Sequence, residues 1–182
     1  MVNETLARRY SAAIFSLAQA AGGIDRIGSD LERVSSAIER DELAREFFVA
    51  PVVPRETKER VVTASFGGHV DEIVLHSVLL LVRKRRESLL PAIASEYRKM
   101  QLETRGEEAL TVTTARELGA GEVRAMVARL ERLYAKKFEV KQVVDPTLIG
   151  GVRILMGDRR VDGTVSGRLE NLARTLFGSP RV

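Results

Sequence analysis

The hydrophobic period of this chain changes once, near Gly106, and that change limits the fold more than any other feature. Before it, apolar residues recur every three or four positions in stretch after stretch, the spacing of helices with one buried face. After it, they alternate one in two, the spacing of strands. The sequence therefore predicts a mainly α protein: a bundle of about six helices over residues 1–105, then a small α+β domain over 106–182.

In the first helix, over 5–21, Leu6, Tyr10, Ala13, Ile14, Leu17 and Ala21 are expected to form the core face, and Gly22-Gly23 to end it. Ile24, Ile27, Leu31, Val34 and Ile38 mark a second helix. A short third one, around Leu43, Phe47 and Phe48, is closed by Pro51. Pro54 suits the first turn of a fourth, and helices follow over 71–83 and 88–105. Beyond Gly106, Leu110, Val112 and Thr114 form a first strand, and Val123 to Tyr134 a helix. Phe138 to Val144 and Val152 to Met156 are two more strands. Gly157-Asp158 can turn the chain back towards Val161, and Val165, Leu169, Leu172 and Leu176 describe a closing helix.

Composition narrows the chemistry. None of the 182 residues is cysteine, which excludes disulfides, thiolate metal sites and thiol nucleophiles. The two histidines, His69 and His76, lie seven apart, not at the i,i+4 spacing of a helical metal pair. The longest unbroken apolar run, Val78 to Val82, is far short of the ~20 residues that span a bilayer. The start is polar and lacks a signal-peptide pattern, so the expectation is a soluble intracellular protein.

Four features invite a functional reading. Arg83-Lys84-Arg85-Arg86 is the one dense basic run, and it can grip phosphates. It also ends a very apolar helix, where cations complement the dipole, and no aromatic platform accompanies it. Asp145, Asp158 and Asp162 can be read as acid–base or metal groups, yet each sits in a Pro- or Gly-containing turn where aspartate bonds its own backbone. Gly150-Gly151 fits neither phosphate-loop pattern and reads as a bulge or tight turn. On a helical wheel, Phe15 falls opposite the expected core face of the first helix, between the small residues Ala12 and Ala18. With Val74 and Val78 of the very apolar fifth helix, these residues form a candidate groove for a partner helix.

The chain as a whole resembles the delta subunit of F-type ATP synthase, the bacterial counterpart of the mitochondrial oligomycin-sensitivity-conferring protein. The resemblance is carried by Asp145-Pro146-Thr147-Leu148-Ile149-Gly150-Gly151-Val152-Arg153-Ile154, then Gly157-Asp158, then Val161-Asp162-Gly163-Thr164-Val165. The opening Ala7-Arg8-Arg9-Tyr10-Ser11-Ala12-Ala13-Ile14-Phe15 matches too, as do Phe47-Phe48 with Pro51 and Lys58. The chain departs from the family pattern at Thr164 (usually Ser), His76-Ser77 (usually Asn-Phe) and Arg85 (usually Gly).

The resemblance implies a non-catalytic stator subunit with no cofactor and no metal, coupling proton-driven rotation to ATP synthesis. It implies that the helical bundle binds the N-terminal helix of an alpha subunit of the catalytic head, and that the second domain binds the b-type peripheral stalk. It places the chain at the cytoplasmic face of the bacterial plasma membrane, peripheral, with no nucleic acid and no direct membrane insertion. Two readings from other classes compete: a nucleic-acid-binding adaptor using Arg83 to Arg86, and a small enzyme using the aspartate turns.

Overall fold

Helix α1 (Val2–Ala20) buries a narrow stripe of mostly small side chains. Ala7, Ser11, Ile14 and Ala18 form its buried stripe, while Ala13 and Leu17 face solvent. The computed structural model describes residues 2–157 and 159–177, and the chain divides into two compact units, the first ending at Gln101 and the second starting at Leu102. The boundary expected from periodicity lay near Arg105.

In the first unit α1 is followed by α2 (Ile24–Arg40), α3 (Glu42–Val49), α4 (Arg55–Phe66), α5 (Glu72–Arg83), a 3-10 turn (Glu87–Leu89) and α6 (Leu90–Thr104). Helix starts are set by local chemistry. The Asp41 carboxylate accepts the backbone N–H groups of Leu43 and Ala44 at the start of α3, and Asp71 accepts that of Ile73 at the start of α5. Asp71 is itself held by Arg26 at 2.6 Å, and its N–H donates to the buried Asp30 carboxylate. Helix α5 ends with Arg85 in the left-handed region at φ 52°, where Arg86 N–H reaches Leu81 O and Arg85 N–H reaches Val82 O. That is the conformation glycine adopts most easily, so the family's usual glycine at Arg85 has a backbone reason.

The core of this unit is one cluster from all six helices, including Ile27, Leu31, Val34, Phe48, Val62, Val74, Val78, Leu81, Ile93 and Tyr97. A charged pair lies within it. The Lys58 ammonium donates to Phe48 O at 2.7 Å and to the Glu87 carboxylate at 2.8 Å, and both side chains are buried.

The second unit opens with β1 (Glu107–Thr114), followed by α7 (Ala120–Tyr134), β2 (Lys137–Val144), β3 (Val152–Met156), β4 (Arg159–Asp162) and α8 (Val165–Phe177). The sheet order is β2-β1-β3-β4, with β1 parallel to β2 and antiparallel to β3. The parallel pair needs a crossover, and α7 supplies it. Leu110, Val112, Ile154 and Met156 make the buried face, covered by Met126, Val127, Leu130 and Tyr134 of α7. Cross-strand partners Thr111, Lys141, Leu155 and Arg160 share the opposite face, the alternation of a sheet covered on one side. Asp158 lies outside the described residues.

Gly28 sits inside α2 for a packing reason. A Cβ there would lie 2.9 Å from the Tyr97 ring, which is buried and anchored by its hydroxyl donating to Ile24 O at 2.9 Å. Burial, with the nearby Asp25 charge, pushes the Tyr97 phenol up to about 12. Gly28→Ala improves helix propensity by about 1 kcal/mol but forces this ring to move. We expect it to destabilise the first unit by about 1–3 kcal/mol net, measured by denaturant unfolding. A variant as stable as the parent would show that the ring has room to shift.

Candidate partner-binding surfaces

The positions picked out for a partner groove fall in different environments. Ala18, Val74 and Val78 are fully buried in the first core and line no open surface. Phe15 is half-buried, packed on the core with its ring centroid 5.4 Å from that of Tyr97 at 57°. Of the five, Ala12 alone is exposed.

The reason is the rotational setting of α1. The wheel placed the large apolar residues inside, because they carry the hydrophobic signal. In the folded bundle α1 packs against α2 and α5 through Ala7, Ser11, Ile14 and Ala18. Small side chains let helix axes approach closely, so the buried stripe is displaced around the helix from the apolar one. Phe15 is thereby brought onto α6, and Leu17 is left 55% exposed. Helix α5, packed beside α1, leaves Leu80 43% exposed. Neither leucine carried a signal that separated it from core leucines in the sequence.

The basic run is spent on the protein itself. Arg83 makes a two-pronged contact with Glu59 at 3.0 and 3.2 Å, and this bonding lowers the Glu59 carboxyl pKa. Arg85 donates to Pro51 O at 2.8 Å, and Arg86 donates to the Tyr10 hydroxyl at 2.9 Å. Three of the four cations therefore tie the exit of α5 to α4, to the turn after α3 and to α1. The nucleic-acid reading finds no support here.

In the second unit the motif Asp145-Pro146 through Gly163 builds turns. Asp145 accepts the N–H and hydroxyl of Thr147, which lowers its carboxyl pKa. Gly151 has φ +86°, and a Cβ there would lie 2.5 Å from Gly163 O. Gly150 lies outside the left-handed region, and its Cβ would make an ordinary 3.6 Å contact with Val165. Gly157, at φ +52°, faces the Glu108 carboxylate.

Asp162 is the densest polar node of this unit. One carboxylate oxygen accepts the Thr164 N–H at 3.0 Å and the Thr164 hydroxyl at 2.6 Å, and the other takes Arg153 at 3.1 Å. The threonine bonds, with Arg153 behind them, lower the Asp162 pKa to about 2. Thr164 then caps α8 by accepting the Gly167 N–H at 3.0 Å. Both aspartates serve backbone turns, and no group of acidic and histidine side chains suited to a metal occurs among the described residues.

Past this cap, α8 is almost bare. Val165 is 39%, Leu169 57% and Leu172 55% exposed, and none of the described α8 side chains joins the core of the unit. The side chains of Ala173, Leu176 and Phe177 lie outside the described residues.

A helical bundle and a small sheet unit, each leaving apolar residues uncovered, have the make-up of a protein that joins other proteins. Residues 6–176 match the family described as ATP synthase delta (OSCP) subunit. A protein of Syntrophomonas wolfei named ATP synthase subunit delta is 35% identical over 176 residues, 97% of each chain. One of the same name from Symbiobacterium thermophilum is 32% identical over 98% of this chain and 96% of its own. The fold also matches a chain in the cryo-EM structure of the Toxoplasma gondii mitochondrial ATP synthase hexamer, with a TM-score of 0.76 over 94% of this chain and 97% of that one, at 19% identity. This chain belongs to the ATP synthase delta (OSCP) family. It is a non-catalytic stator component of the peripheral stalk of F-type ATP synthase. No described helix is long and apolar enough to cross a membrane.

Two consequences follow for the second unit. Gly151→Val must leave the left-handed region and meets backbone, so we expect a loss of at least about 2 kcal/mol of stability, whereas Gly150→Ala stays within about 1 kcal/mol. Unfolding curves of the two variants provide the comparison. Because the folded pKa of Asp162 lies below its unfolded value, its contribution is complete above about pH 4 and is lost as pH falls towards 2. Thermal melts from pH 5 to 2 are expected to fall less steeply for Asp162→Asn than for the parent; parallel profiles would show that the carboxylate is not a determinant.

Proposed function

We propose that the first unit receives the N-terminal helix of an alpha subunit of the catalytic head, and that the second receives the b-type stalk subunits. The protein then holds the head still against the turning rotor, working at the cytoplasmic face of the bacterial plasma membrane as a peripheral part of the complex. Family membership supports the stator role, and the resemblance noted in the sequence supports this assignment of partners.

The observation that carries the head-binding half is the pair of exposed leucines on neighbouring helices. Leu17 on α1 and Leu80 on α5 each leave apolar surface in water while the core beside them is closed. An amphipathic helix laid against α1 and α5 covers such residues at i, i+3, i+4 spacing. Ala13 of α1, exposed and small and one turn from Leu17, lets that helix approach closely.

Burying a leucine side chain is worth about 1.5–3 kcal/mol, and a carboxylate in its place must be desolvated. Leu17→Asp and Leu80→Asp are therefore expected to weaken binding to a synthetic alpha-subunit N-terminal peptide by about tenfold or more each. Their melting temperatures are expected to stay near that of the parent, since both side chains already face solvent. Phe15→Asp places a charge against the Tyr97 ring and is expected to destabilise the bundle. Calorimetry with the peptide and thermal melts decide the matter: unchanged affinity in both leucine variants would move the head-binding surface elsewhere.

A further inference from the structure

The face offered to the head contains one group whose charge changes near neutral pH. Glu72, His76 and Leu80 are exposed at successive i,i+4 positions of α5, so the His76 imidazole lies one turn from the leucine of that face. Charge is otherwise scarce there. From Tyr10 to Ala21 the chain has no acidic, basic or histidine residue, and from Ile73 to Val82 it has His76 alone. On the outward side of α1 the exposed Arg9 is two turns back from Leu17, and the Tyr10 hydroxyl is occupied by Arg86. The other elements packed on α5 have their charges engaged beside it. Arg26 of α2 holds Asp71 and Arg33 holds Asp30, Glu59 of α4 holds Arg83, and Lys58 is buried with Glu87 of the 3-10 turn.

We propose that His76 makes attachment to the head pH-sensitive: the neutral imidazole is covered by the partner helix together with Leu80, and the imidazolium opposes that cover. A neutral imidazole presents an apolar body and a polar tip, which a helix laid on Leu17 and Leu80 covers at little cost. An imidazolium has to give up its water against a face whose one nearby anion, Glu72 at i−4, already stabilises it in the free chain. The proton therefore favours the free chain. By linkage, proton and partner helix weaken each other's binding by the same factor, so affinity falls as pH falls through the range in which histidine titrates. His69 does not share this position. It lies in the turn before α5, where its carbonyl accepts Arg33 at 3.1 Å. The inference rests on the head-binding reading of the first unit.

Calorimetry on the full chain with the synthetic alpha-subunit N-terminal peptide, at pH 7.5 and at pH 5.5, tests it. The parent is expected to bind about fivefold to tenfold more weakly at the lower pH. Compared at pH 6.5 in two buffers of different ionisation heat, its binding is expected to release part of a proton. His76→Asn is expected to bind equally at both pH values and to release no proton, and His69→Asn to behave as the parent. Thermal melts at both pH values show that the fold persists. An affinity of the parent that does not change with pH, a pH dependence that survives in His76→Asn, or tighter binding at pH 5.5 overturns the inference. So does loss of binding by His76→Asn at pH 7.5 with an unchanged melt, which makes the imidazole a fixed contact and not a switch. A parent chain that binds the peptide at neither pH overturns instead the reading on which the inference rests.

Discussion

The Lys58 ammonium is buried in the middle of the helical unit, and much of that unit is arranged to keep it satisfied. It spans Phe48 O at the end of α3 and the Glu87 carboxylate in the 3-10 turn, so three separate segments meet on one charge. A buried pair adds little net stability once desolvation is counted, but removing either partner costs about 3–5 kcal/mol. Its effect is to specify geometry: the chain between α5 and α6 has to pass where Glu87 can reach Lys58. Phe48 and Lys58, which fall together in the resemblance, meet here through the Phe48 carbonyl, and Arg85 adds a bond to the Pro51 carbonyl beside them. The exit of α5 is thereby fixed, and with it the face that α5 presents beside α1.

The second unit uses a different device. It has a short sheet with one helix over it, and its polar anchors are turns. Gly151 passes so close to Gly163 that only hydrogen fits, and Asp162 gathers the Thr164 backbone and hydroxyl together with Arg153. These contacts rigidify the place where α8 departs. A stator has to carry load between partners without chemistry of its own, and the aspartates and glycines of the motif serve that end by stiffening turns, which leaves apolar residues free to meet partners.

Much of this was legible from periodicity and punctuation. The helices and strands lie close to where the apolar spacing places them, because period 3.6 and period 2 are properties of the local backbone. Pro54 and Pro91 sit at helix starts, and Asp71 caps α5, for equally local reasons. The turn at Gly150-Gly151 was legible as well, since a Gly-Gly pair before a β-branched run marks a bulge or turn, and the structure places the left-handed residue at Gly151. The relatives match across nearly the whole chain, so the family too was carried by the order of residues alone.

The sequence by itself therefore determined the kind of each element, the division into a helical and a mixed unit, and the family. Tertiary structure alone decided which way α1 is turned, and so which leucines remain in water. Hydrophobicity patterns weigh side chains by size, but close helix packing selects small ones: Ala7, Ser11 and Ala18 went inward and Leu17 outward. Val74 and Val78 were taken by the core because α5 packs on α1, α2 and α4 at once, a fact about several helices together and not about one. The strand order β2-β1-β3-β4 and the bareness of α8 are of the same kind. An apolar stripe states that something must cover it, and only the packed chain shows whether that cover comes from within the molecule.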